Sequence, residues 1–204
     1  VDASGRAELF EKSSGETFPD LISFTDEGDA GHSYNFLPVE GGSIRELGAI
    51  SRVQVGGFRR GLRQGVRVEY EFELPRDYDF ELCRPTAETA QNRLTAEYTL
   101  DEFSRHVAVE TRIENRSGSH RLRAVFRPGT ASPVTLASVP FGFERRTRDE
   151  LIRQAGRHNA DQPDSGVITI REGKRQFSCL NEGLHEYEHL ADGRIALTLL
   201  RSTG

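Results

Sequence analysis

The chain has 204 residues, enough for one large β domain or two small ones with a substantial core and no staples. With 35% apolar residues, 20 glycines and 29% charged residues of interspersed sign, it has neither a disordered nor a membrane composition, and no apolar run approaches the ~20 residues of a spanning helix. A net charge of -5 and a pI near 5.7 argue against nucleic acid as the main partner.

In chain order, Val1 to Gly5 carry no basic or apolar leader region, so no signal peptide is visible. Asp26 to Phe36 form a Gly- and Asp-rich loop. It misses the register of a calcium loop and lacks the bidentate Glu, so Gly28 and Gly31 serve a tight turn and Asp26 and Asp29 cap local N–H groups. Tyr34-Asn35-Phe36 set an aromatic hydroxyl and an amide at the loop's exit, where a strand is expected to begin; sugars are bound by that mixture of flat face and polar tip. The Arg59/Arg60/Arg63 cluster is short and offset by acids, which reads as a solvated face.

Period-two alternation then dominates. Val66, Val68, Tyr70, Phe72 and Leu74 point one way and Arg67, Glu69, Glu71 and Glu73 the other. Leu94 to Leu100, Val107 to Ile113 and Leu122 to Phe126 repeat the pattern, separated by turn chemistry at Leu74-Pro75-Arg76-Asp77, Asn115 to Ser119 and Arg127-Pro128-Gly129. The Asn115 turn is expected to close a hairpin; its Asn-Arg-Ser sequon is then simply a turn. In His120-Arg121-Leu122-Arg123, Leu122 points inward, the arginines outward, and His120 is expected as a hydrogen-bonded structural residue, with no nucleophile near it in sequence.

Arg146 to Ala155 is the one helical segment, stopped by Gly156, and Arg157 to Ser165 is a polar loop. Val167 to Ile170, Arg175 to Leu180 and Ile195 to Leu200 give three more strands, with turns at Glu172-Gly173 and Asp192-Gly193. His185-Glu186-Tyr187-Glu188-His189 matches the H-x-x-E-H zinc-peptidase pattern, but that chemistry needs a helix to bring both histidines together. Between Gly183 and Gly193 a strand is expected, with His185, Tyr187 and His189 on one side and the glutamates on the other; no metal ligands are assigned. Cys83 and Cys179 are too few for a disulfide framework, lie in or beside apolar segments, and suit reduced structural thiols in a cytoplasmic protein. With 32 acidic residues, no carboxylate pair for glycoside cleavage stands out. The expected architecture is a single all-β domain over residues 1–204, with ten or more strands in two large antiparallel sheets. No Met occurs, even at position 1, and the last strand pattern runs to Thr203-Gly204, so both ends are expected to be cut from a longer chain.

Four phrases in fixed order carry a resemblance: Asp26 to Phe36, His120 to Arg123, Leu180-Asn181-Glu182-Gly183-Leu184, and Ile195 to Gly204. Together they resemble the β region that follows the catalytic domain in glycoside hydrolase family 38, the α-mannosidases, especially the bacterial branch. The resemblance implies a galactose-mutarotase-like supersandwich, a large antiparallel β-sandwich excised from a longer glycosidase. It implies that zinc and the aspartate nucleophile belong to a catalytic domain of the same chain, that this part alone is inactive, and that the partner is a mannose-containing carbohydrate; the charge and the apolar runs point to no nucleic acid and no membrane as partners. Two positions carry over from the family pattern. Tyr34 matches a tyrosine that reaches into the mannose subsite, and Arg201 an arginine that helps close it. His32 departs from the aspartate usual in the bacterial branch. The residues alone leave open a free-standing carbohydrate-binding or mutarotase-like module, and a structural spacer with an exposed apolar patch. The sharpest expectation puts Tyr34 and Arg201 close together on one open edge of the sandwich.

Overall fold

The computed structural model describes residues 1–130, 132–155 and 160–203. Seventeen strands and two short helices occur among them. In chain order they are β1 (Ala7–Glu11), β2 (Glu16–Gly28), β3 (Arg45–Glu46), α1 (Leu47–Ile50), β4 (Arg52–Arg60), β5 (Arg63–Pro75), β6 (Tyr78–Asp79), β7 (Arg84–Pro85), β8 (Thr89–Asp101), β9 (Ala108–Glu114), β10 (His120–Phe126), β11 (Val134–Val139), β12 (Gly142–Thr147), α2 (Arg148–Ala155), β13 (Asp161–Pro163), β14 (Val167–Glu172), β15 (Arg175–Leu180), β16 (Glu186–His189) and β17 (Ile195–Ser202).

The expected all-β architecture is present, but as three main sheets rather than two. A seven-stranded sheet, β1-β2-β10-β17-β16-β13 with β3 on β2, faces two four-stranded sheets, β4-β5-β8-β9 and β12-β11-β14-β15. The first pairing is built from the alternation of β5 and β8: Val68, Tyr70, Phe72, Leu74, Leu94 and Ala96 are buried against Ile22 and Phe24 of β2 and Leu122 and Ala124 of β10. The second covers the other half of the large sheet, where Ala137, Ile168 and Cys179 meet Tyr187, Ile195 and Leu197. Ala124 and Leu197 are register partners on β10 and β17, so both cores lie on one face of the large sheet. Phe126 packs against both. Each large apolar side chain so buried contributes roughly 1.5–3 kcal/mol.

Several elements differ from expectation. The Asn115 turn is a crossover and not a hairpin, because β9 pairs with β8 while β10 pairs with β2 and β17. Its hydrogen bonds show why: Arg116 N–H donates to Asn92 Oδ1 and Gly118 N–H to the Arg76 carbonyl, tying the turn to the flanking sheet, and Ser119 turns the chain with φ +51. Arg146 and Thr147 extend β12, so the helix starts at Arg148; Gly156 and residues 157–159 lie outside the described residues. No strand begins at Tyr34-Asn35-Phe36, which stay in a loop with only an isolated bridge at Asn35, and α1 is an element the sequence pattern does not signal. The hairpins at Glu172-Gly173 and Asp192-Gly193 are formed as read. Cys179 is buried and free, its thiol pushed up to about 12 by desolvation; Cys83 is free but exposed.

Candidate functional site

The face of the large sheet turned away from both cores holds most of the buried charge. Strand alternation places Leu122 inward, as expected, and Arg121 and Arg123 on the opposite face. They are not solvated: each is only 2% exposed. Glu27 of β2 accepts from Arg121 Nε at 3.0 Å and lies 2.7 Å from Arg123 Nη2. Asp161 Oδ2 accepts from Arg121 Nη1 at 2.8 Å, and Glu188 Oε2 from Arg123 Nη1 at 2.7 Å. Glu186 stands 3.6 Å from Arg121 and also accepts from the Thr198 hydroxyl at 2.6 Å. Desolvation disfavours the charged guanidinium of Arg121, but the carboxylates of Asp161 and Glu27 outweigh it and hold its pKa above the ordinary value. The H-x-x-E-H segment contributes to this arrangement as a strand. Its glutamates face the arginines, while Tyr187 and His189 are buried on the other side and His185 is exposed just before β16.

Where β2 leaves the sheet, residues 29–37 form a loop over this face. Asp29 is fully buried. Its Oδ1 accepts the N–H of Gly31 at 2.9 Å and of Leu37 at 3.2 Å, gathering both ends of the loop onto one atom. Its Oδ2 accepts from Arg201 Nε at 2.9 Å, and Arg201 Nη2 donates to the His32 carbonyl at 3.1 Å. His32 and Asn35 exchange backbone hydrogen bonds, and His32 Nδ1 accepts the Tyr34 N–H at 3.2 Å. No side chain fits at Gly31, whose Cβ would lie 2.1 Å from the Asn35 carbonyl oxygen. Phe36 lies over the Arg121 guanidinium, 3.5 Å from carbon to ring centroid. Tyr34 stands at the apex, 90% exposed.

The two residues singled out from the family pattern therefore share one structural unit. Tyr34 is at the tip of a loop that Arg201 grips through Asp29 and the His32 backbone. Arg201 is not a free strand end; its side chain is 13% exposed. Neither of two surface depressions among the described residues includes Tyr34. One, of about 570 Å³, lies by Leu62 and Phe103, and the other, of about 220 Å³, between Val39, Tyr78 and His120. His120 is buried, with Nδ1 2.8 Å from Asp26 Oδ1 and Nε2 2.9 Å from Asn115 Oδ1, a structural tie between strand and crossover. Among the described residues no group of three or more His, Cys, Asp or Glu side chains is placed to hold a metal ion, and the clustered carboxylates are committed to guanidinium groups.

Sequence reasoning missed Glu27, Asp161 and the stacking of Phe36 on Arg121. The usable signal was a parity match, Thr25 and Glu27 on one strand, with Asp29 just past its end, against Arg121 and Arg123 on another, but the pairing joins residues 94 apart. Asp29 caps local N–H groups as expected and also pairs with Arg201.

The chain belongs to the family described as the glycosyl hydrolases family 38 C-terminal domain, whose sequence profile matches residues 2–204. A Halalkalibacterium halodurans protein named "Putative mannosylglycerate hydrolase" is 24% identical over the whole chain, which covers 24% of that protein. Two Enterococcus faecalis crystal structures share the fold across the entire chain at 23% identity. One is a glycosyl hydrolase family 38 protein, TM-score 0.88, of which the chain covers 25%; the other is an alpha-mannosidase, TM-score 0.91, of which it covers 24%. The chain thus spans about a quarter of the length of these relatives. No helix among the described residues is long and apolar enough to cross a membrane.

Proposed function

We propose that the chain is the non-catalytic β domain of an α-mannosidase-type glycoside hydrolase, supporting the catalytic domain and lending Tyr34 to its mannose subsite. The observation that carries this reading is the display of Tyr34, 90% exposed at the apex of a loop whose stems are fixed by buried charge. An aromatic hydroxyl so held offers a rigid face and one directional hydrogen bond to a sugar hydroxyl, while Arg201 keeps the loop in place from β17. Membership of family 38, and relatives named for mannosylglycerate and mannoside hydrolysis, support a mannose-containing carbohydrate as the substrate class. In this reading zinc and the nucleophile come from a catalytic domain in the same polypeptide, and the unpaired Cys83 and Cys179 suit the cytoplasm.

In the full-length enzyme, Tyr34→Phe is expected to lower kcat/KM by ~1–2 kcal/mol, the scale of one lost hydrogen bond, with the melting temperature unchanged. An unaltered kcat/KM would remove Tyr34 from the subsite. The 204-residue chain alone is expected to be inert towards an aryl α-mannoside, and zinc-dependent turnover by it would overturn the non-catalytic assignment. Calorimetric binding of mannose by that same chain would favour a free-standing carbohydrate-binding module instead.

A further inference from the structure

We infer that Asp29 is the residue that positions Tyr34, and that Arg201 acts on the subsite through it rather than by touching sugar; the inference rests on the function proposed above. The carboxylate of Asp29 accepts three hydrogen bonds on its two oxygens and makes one further ion-pair contact. Oδ1 takes the N–H groups of Gly31 and Leu37, which lie on opposite sides of the apex. Oδ2 accepts from Nε of Arg201 at 2.9 Å and lies 2.8 Å from its Nη2. The same Nη2 reaches the His32 carbonyl, two residues before Tyr34. One fully buried charge therefore closes the loop on itself and fastens it to β17.

A second fastening comes from the neighbouring strand. Arg121 and Arg201 are register partners on β10 and β17. Arg121 carries Phe36 on its guanidinium and is itself held by Glu27 and Asp161. The loop is thus anchored on both sides of Tyr34 by two adjacent arginines, one through Asp29 and His32, the other through Phe36. Such preorganisation matters for a binding group because ordering a free loop on substrate arrival would cost part of the binding energy.

Asparagine at position 29 keeps the shape but turns one acceptor oxygen into an N–H donor, which must face either the loop amides or the arginine. The test uses the full-length enzyme with Asp29→Asn, Tyr34→Phe and the double variant, reading kcat and KM on a mannoside and hydrogen exchange across residues 29–37. Asp29→Asn is expected to lower kcat/KM about tenfold or more and to speed exchange at Gly31 and Leu37, since the loss of one charge-assisted contact unfastens both. In the Tyr34→Phe background the same substitution is expected to cost roughly twofold or less, because both changes remove one function. Arg201→Lys, which keeps the charge but loses the fork, is expected to fall between wild type and Asp29→Asn in both readouts, and it carries the test should Asp29→Asn fail to fold.

Unchanged exchange at Gly31 and Leu37 would overturn the clamp. Losses that multiply in the double variant would overturn its action through Tyr34. An inert Tyr34→Phe beside accelerated exchange in Asp29→Asn would instead leave the clamp standing and sink the subsite reading.

Discussion

Two outward faces of this domain carry the same kind of side chains and differ in what those side chains do. On the β4-β5-β8-β9 sheet, Arg93 reaches Glu71 at 2.8 Å and Glu114 at 3.5 Å, and Arg67 pairs with Glu97, with the arginines 43% and 40% exposed. On the large sheet, Arg121 and Arg123 make contacts of similar length while 2% exposed. Alternation on β5 and β10 puts arginines opposite carboxylates in both cases. The difference is the cover. The first face is open to water, whereas loop 29–37 places Phe36 over Arg121, and β13 brings Asp161 against it from the sheet edge. In water such pairs are screened and add little; once enclosed, each charge depends on its partners. The covered face is also the one that carries the Tyr34 loop, so the buried charge supports a displayed group.

The comparison breaks most sharply at Glu27, which serves both buried arginines. Glu27→Gln leaves them short of a countercharge and is expected to destabilise the domain by ~3–5 kcal/mol. Urea denaturation checks this, and a loss near that of an exposed pair would show that water reaches the face after all.

A smaller effect is expected at His189, on the inward side of β16. It is buried, and neither ring nitrogen has a hydrogen-bond partner among the described residues. Desolvation lowers its pKa from 6.5, nearby Arg148 lowers it further, and Asp192 opposes them. The unfolded chain therefore binds a proton at a pH where the folded one does not. The stability tied to neutral His189 is fully present above about pH 6.5 and is lost as pH falls towards the folded-state value, at no more than roughly 1.4 kcal/mol per pH unit. Denaturation midpoints at pH 7.5 and 5.5 should separate in the wild type and draw together in His189→Leu. An equal separation in both would exclude His189 as the source.

How much of this was legible in the sequence depended on which signal an element carries. β5, β8, β10 and β17 were readable because large apolar residues alternate in them. β11 was not, since its inward positions are Thr135 and Ala137, buried but without an apolar stripe. The Asn115 turn misled because the same residues make a hairpin or a crossover, and the choice is made by Asn92 and Arg76, which lie far away in sequence. Tyr34 was visible through the family pattern, and its exposure suits a displayed group. Arg201 was visible too, but its commitment to Asp29 was not, because that ion pair joins residues 172 apart. Burial of Arg121 and Arg123 needed knowledge of the loop lying over them, which no local pattern encodes.

The smallest effect is expected on the open face. Arg93→Ala removes contacts to both Glu71 and Glu114, as many carboxylate partners as buried Arg123 has. Yet solvent replaces each lost contact, and truncation frees a long side chain that had been held in one geometry. The denaturation midpoint should therefore barely move at physiological salt. What difference there is should shrink further as salt rises, because the Debye length falls from ~10 Å at 0.1 M to ~3 Å at 1 M. Glu27→Gln should keep most of its effect over the same titration, since its partners are enclosed. Measuring both variants at the two salt concentrations thus asks whether the faces differ in kind or only in degree. A large, salt-insensitive loss in Arg93→Ala would mean that the charged ladder is part of a covered surface as well.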